Sequence, residues 1–69
     1  MLYAVAVYDL NEDKLWEMIG YEIIFRDLEK AIVYAYKKTC NTPFFRYYGV
    51  KRMSETVARA GGLEDLIES

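Results

Sequence analysis

The 69-residue sequence contains no histidine, one cysteine, one proline and four glycines. Without histidine there is no Ser–His or Cys–His nucleophile pair, no imidazole general base and no imidazole metal ligand. A lone Cys40 has no intramolecular disulfide partner, whereas small secreted domains ordinarily carry paired cysteines. Cys40 also falls near the end of a predicted helix, where the dipole is negative and disfavours a thiolate, so it reads as a small, semi-buried residue. No apolar run approaches the ~20 residues that cross a bilayer. The apolar start Met1–Tyr8 has neither the basic leader nor the cleavage site of a signal peptide. These absences point to a cytoplasmic protein that is not an enzyme, needs no cofactor or metal and engages no membrane.

What is present supports a folded core. Hydrophobic residues make up 54% of the chain and aromatics 16%, with 29% charged, which excludes a disordered composition. A domain of this size buries only roughly 60% of the surface its unfolded chain exposes, so residues 1–69 read as one small domain. The net charge of −2 conceals a strong asymmetry. Residues 1–29 carry seven acids against Lys14 and Arg26; residues 55–69 carry four against Arg59. Between them, residues 30–54 hold Lys30, Lys37, Lys38, Arg46, Lys51 and Arg52 and no acid, a block of +6.

Residues 2–8 alternate Val, Ala and Tyr and predict a strand. From Asp9 to Gly20 two readings stand. Asn11 can start a helix placing Leu15 and Ile19 on one face; alternatively Leu10-Asn11-Glu12-Asp13 turns a hairpin whose second strand returns through Lys14–Ile19. The hairpin is favoured, because Trp16 and Ile19 suit strands and an eight-residue helix is marginal. Tyr21–Phe25 then continues as strand past a bend at Gly20. Asp27 is placed to cap the main helix, with Glu29 in its first turn and Lys37 and Lys38 in its last. Leu28, Ala31, Ile32, Ala35 and Tyr36 have the spacing of its buried face, and Asn41-Thr42-Pro43 stops it. Phe44–Val50 predicts an aromatic strand with a bulge at Gly49. Ser54 caps a short helix through Ala60, Gly61-Gly62 ends it, and Leu63, Leu66 and Ile67 form a last amphipathic turn. The predicted fold is α+β: a small three-stranded, mainly antiparallel sheet with one face packed on one main helix, in the order β-β-α-β-α.

Two motifs fail on inspection. Asp9-Leu10-Asn11-Glu12-Asp13 opens like a calcium loop, but Lys14 stands where the loop requires glycine and Gly20 where it requires glutamate. Gly61-Gly62 lacks the length and lysine of a phosphate loop. Glu17, Glu22 and Asp27 read as solvent-facing charges, with no sign of a pocket around them.

The central block carries the candidate site. Phe44, Phe45, Tyr47 and Tyr48 interleave with Arg46, Lys51 and Arg52, with Lys37 and Lys38 at the preceding helix end. Strand alternation leaves either Phe45 and Tyr47 or the opposite set outside. Exposed aromatics and arginines anchor protein interfaces; with cations they also stack single-stranded nucleic acid. The acidic net charge favours the first. The expected partner is therefore a protein, acidic where it meets this strip, bound through Lys37, Lys38, Phe45, Arg46, Tyr47, Lys51 and Arg52. Single-stranded RNA or DNA on the same strip is the alternative, and an edge strand offers a route to a homo-oligomer.

Leu2–Asp9 resembles the first strand of the small CRISPR-associated nuclease family, an apolar strand ending in Tyr-Asp. That resemblance spans eight residues and does not extend to the arginine-rich helix that follows in the family, so it assigns no nuclease role to Asp9. Phe25–Ile32 has the strand-to-helix junction of many small α+β proteins, some phage-encoded inhibitors of host enzymes among them, an analogy of architecture. The expected role is that of a small viral or regulatory protein that modulates a larger host protein.

Overall fold

The chain runs β1 (Leu2–Leu10), β2 (Trp16–Phe25), α1 (Leu28–Cys40), β3 (Arg46–Met53) and α2 (Glu55–Ala60), then a 3-10 turn at Glu64–Leu66; these come from a computed structural model that describes residues 1–68. The sheet order is β2-β1-β3, and β1 pairs antiparallel with both neighbours. This is the predicted α+β architecture in the predicted order. β1 is central because it is the most apolar strand and is buried from Leu2 through Val7 except for half-buried Tyr3.

The hairpin reading of residues 9–20 holds. Asn11 organises the connection: its backbone exchanges hydrogen bonds with Lys14 and Leu15, and its Oδ1 accepts from the amides of Asp13 and Leu15. The loop is Glu12-Asp13-Lys14, closed by Lys14 in the left-handed region at φ 63°. That is the usual form of a three-residue hairpin loop, with lysine where glycine is preferred.

β2 is one strand with two irregularities in its pairing with β1, which leave Ile19 and Glu22 as extra residues. The bulge expected at Gly49 is absent, since β1 and β3 stay in unbroken register from Leu2↔Met53 to Asp9↔Arg46. β3 fits β1 residue for residue, and β2 takes up the sheet's twist. β3 itself lies later than the expected 44–50. Pro43 accepts from the Arg46 amide in a turn that holds Phe44 and Phe45 outside the strand.

The two faces of the sheet are covered differently. Val5, Val7, Phe25 and Tyr48 pack beneath Ala31 and Ala35 of α1, with Tyr3, Ile23, Tyr34 and Val50 around them. On the opposite face Leu2, Ala4, Ile24 and Met53 lie under Ala58, Leu63, Leu66 and Ile67. The main helix thus covers one face, as expected, and the C-terminal segment covers part of the other. Asp27 caps α1 by accepting from the Glu29 amide at 2.9 Å, and Ser54 caps α2 by accepting from Val57 at 3.1 Å, both as anticipated. Gly62, at φ 71°, turns the chain after α2, so that Ile67 and Glu68 reach β2. There Ile67 bridges Ile24, and the Glu68 amide donates to the Ile24 carbonyl at 2.8 Å.

The expected buried face of α1 needs correction. Ala31 and Ala35 are buried, but Leu28, Ile32 and Tyr36 are exposed, Tyr36 to 70%. The two alanines bring the helix backbone close to the sheet, and at that distance larger residues on the same flank overhang the edge instead of entering the core. Cys40 is likewise exposed, not semi-buried. No helix among the described residues is long and apolar enough to cross a membrane.

Candidate functional site

Strand alternation sends successive β3 residues to opposite faces, and the predicted strip divides accordingly. Arg46, Tyr48, Val50 and Arg52 lie on the side of α1; Tyr47, Gly49 and Lys51 lie on the side of α2. Tyr48 is buried in the core. Arg46 pairs with Asp9, its register partner, through two bonds: Nε to Oδ1 at 2.6 Å and a second nitrogen to Oδ2 at 2.9 Å. The guanidinium holds the Asp9 carboxyl below its usual range, and the carboxylate in turn raises Arg46.

Lys38 is also occupied. Glu22, the bulged residue of β2, sits 3.5 Å from its Nζ, and the ammonium lies 5.5 Å from the centre of the Tyr48 ring. The Tyr34 hydroxyl donates to the same oxygen, Glu22 Oε2, at 2.6 Å. The neighbouring carboxylate disfavours a phenolate, so the Tyr34 hydroxyl is pushed up to about 12. Two of the block's six cations, Lys38 and Arg46, are therefore paired within the fold. Lys37, Lys51 and Arg52 are exposed, with no ion pair among the described residues.

The structure assembles a different surface at the end of the sheet that α2 does not reach. There β1 presents Tyr8 and Leu10, β2 presents Trp16 and Met18, and β3 presents Tyr47, all on the α2 side, with Tyr8 opposite both Met18 and Tyr47 and Leu10 opposite Trp16. The rings of Tyr8 and Tyr47 stack at 4.7 Å and 10°. Trp16 crosses the central strand to meet Tyr47 edge-on, at 4.8 Å and 79°. Gly49 leaves room beside the stack: a Cβ there would lie 3.3 Å from Tyr8 Cε2, a tight approach, and 3.6 Å from Tyr47 Cε2.

The surface continues into the adjoining turn. The Leu10 amide donates to the Phe45 carbonyl at 2.8 Å, and Phe44 and Phe45 meet edge-to-face at 5.8 Å. Phe44 is 89% exposed, Trp16 46% and Met18 40%. Phe45 and Tyr47, from the predicted set, belong to this surface; Tyr8, Leu10, Trp16 and Met18 were not singled out from the sequence. Their signal lay in the alternation of Trp16 and Met18 once the hairpin is accepted, but which strands become neighbours is a tertiary fact.

One groove of about 380 Å³ opens along the other flank of α1, floored by Phe25, Val33 and Tyr34. Its rim mixes Lys30 and Lys37 with Asp27 and Glu29, and the Asp27 carboxylate is already committed to the helix cap. It therefore offers no convergent set of polar groups. Among the described residues no three acidic or cysteine side chains gather as metal ligands would. Compared with protein-family models, with curated proteins and with solved structures, the chain matches none.

Proposed function

We propose that this chain is a non-enzymatic protein-interaction module that docks an apolar surface of a larger protein onto the bare aromatic end of its sheet. The observation that supports this is the Tyr8–Tyr47–Trp16 cluster: the Tyr47 ring packs against both of the others across three strands, with Trp16 half in solvent. Rigid aromatic anchors lose little side-chain freedom on binding, which is why such residues dominate interface energetics. Phe44, Phe45, Leu10 and Met18 extend the apolar area around them. A small regulatory or viral inhibitor acting in the reducing cytoplasm fits this reading and the lone, exposed Cys40.

The test is capture from nuclease-treated lysate by the tagged wild-type chain and by a Trp16→Ala/Tyr47→Ala double variant. The same discrete protein should be retained by the first and lost by the second, with circular dichroism unchanged. Equal retention by both would remove the site. If the material captured is nucleic acid, bound in a strongly salt-dependent way through Lys37, Lys51 and Arg52, the alternative reading takes its place.

A further inference from the structure

The outer edge of β3 is closed along half its length and open along the rest. The Leu10–Phe45 bond sets the ladder so that alternate residues Arg46, Tyr48, Val50 and Arg52 direct their backbone groups away from β1. At Tyr48 both groups are satisfied by one side chain. Thr39 Oγ1 accepts from the Tyr48 amide at 2.9 Å and donates to its carbonyl at 3.3 Å. At Arg46 the amide donates to Pro43 at 3.0 Å and the carbonyl accepts from Thr42 Oγ1 at 3.4 Å. At Val50 and Arg52 no group among the described residues takes these roles.

Thr39 also shows which flank of α1 overhangs this edge. Leu28, Ile32 and Tyr36 recur every four residues and lie within about 60° of Thr39 around the helix. The stripe they form therefore runs back from Thr39 along the same side, above the open part of β3. Ile32 is 51% exposed and Leu28 45%. An unsatisfied strand edge beside an uncovered apolar stripe is the arrangement that accepts an added strand.

Charge decides between occupants. Lys51 and Arg52 stand on opposite faces of the open stretch, and neither has an ion-pair partner among the described residues. A second copy paired antiparallel over Val50–Arg52 would centre on Lys51 and set it against its own equivalent, which is unfavourable in a ladder. We infer that the Val50–Arg52 edge takes up an extended segment of another protein, one that alternates apolar and acidic side chains. The apolar residues would cover Leu28, Ile32 and the aliphatic stem of Arg52 on the α1 face, the acids would meet Lys51 on the opposite face, and the main chain would bond Val50 and Arg52. This surface is separate from the aromatic end of the sheet and stands without it.

The test is an NMR titration of the isotope-labelled full chain with a synthetic peptide of alternating valine and glutamate at millimolar concentration. The same peptide with lysine in place of glutamate is the control. The Val50 and Arg52 amides should shift and become protected from exchange, added salt should weaken the effect, and Lys51→Glu/Arg52→Glu should weaken it at least about tenfold. Trp16→Ala/Tyr47→Ala should bind the peptide as wild type does, so failure of one surface does not decide the other. Unmoved Val50 and Arg52 amides, equal binding of the lysine peptide, or protection that rises with protein concentration alone, as self-pairing requires, would each overturn the inference.

Discussion

The two ends of the sheet are built from the same three strands and end up with opposite physical characters. At one end Leu2, Ala4, Ile24 and Met53 are closed between the sheet and the C-terminal segment. At the other, Tyr8, Trp16 and Tyr47 are backed by the sheet on one side and open to solvent on the other. The short reach of the elements after β3 explains the difference. α2 has six residues and the 3-10 turn three, enough to roof one end of a sheet whose strands run to eight to ten residues. The closed end contributes stability through buried area, and the open end keeps large apolar side chains available for a partner.

Four substitutions test this contrast, in decreasing order of expected effect on stability. Ile24→Ala removes a fully buried side chain at the closed end and should cost about 2–5 kcal/mol in urea unfolding, with the denaturant slope unchanged. A loss under about 1 kcal/mol would mean that the C-terminal roof is loosely packed. Ala31→Leu tests how closely α1 sits on the other face. Overpacking that contact should cost about 1–3 kcal/mol, whereas a neutral result would mean that the helix can lift.

Trp16→Ala, at the open end, should cost only about 0.5–1.5 kcal/mol, the scale of an aromatic pair, while abolishing capture of the partner. A large loss of stability with partner capture intact would reverse the assignment of the two ends. Asp9→Asn should have the smallest effect. The Asp9 carboxyl is depressed by Arg46, so its contribution is fully present above the ordinary carboxylate range and is lost as pH falls through the lowered value. In the variant, the fall of the thermal midpoint on acidification should be shallower than in wild type. An identical acid limb would mean that the pair contributes nothing to folding.

Much of the architecture was legible in the sequence. The caps at Asp27 and Ser54, the stop before Pro43 and the alternation of β1 are local features, and local physics sets them in any context. The hairpin was favoured on residue type, and Asn11 bears it out with its own side chain. The face of α1 was misread because periodicity locates an apolar stripe without saying how near the helix lies to the sheet. Ala31 and Ala35 set that distance and strand Leu28, Ile32 and Tyr36 outside. The basic strip read as one surface because its residues are consecutive, whereas alternation and the register of β3 against β1 send Arg46 to Asp9 and leave Lys51 on the other face.

The sequence by itself therefore determined the elements, their order and the fold class, since these follow from propensity, capping and the spacing of apolar residues within one segment. The tertiary structure alone decided which aromatics share a surface, which cations are free and which part of the β3 edge stays open. Those depend on pairings between residues far apart in the chain, such as Tyr8 with Tyr47 and Thr39 with Tyr48, which exist only once three strands and a helix have closed on one another.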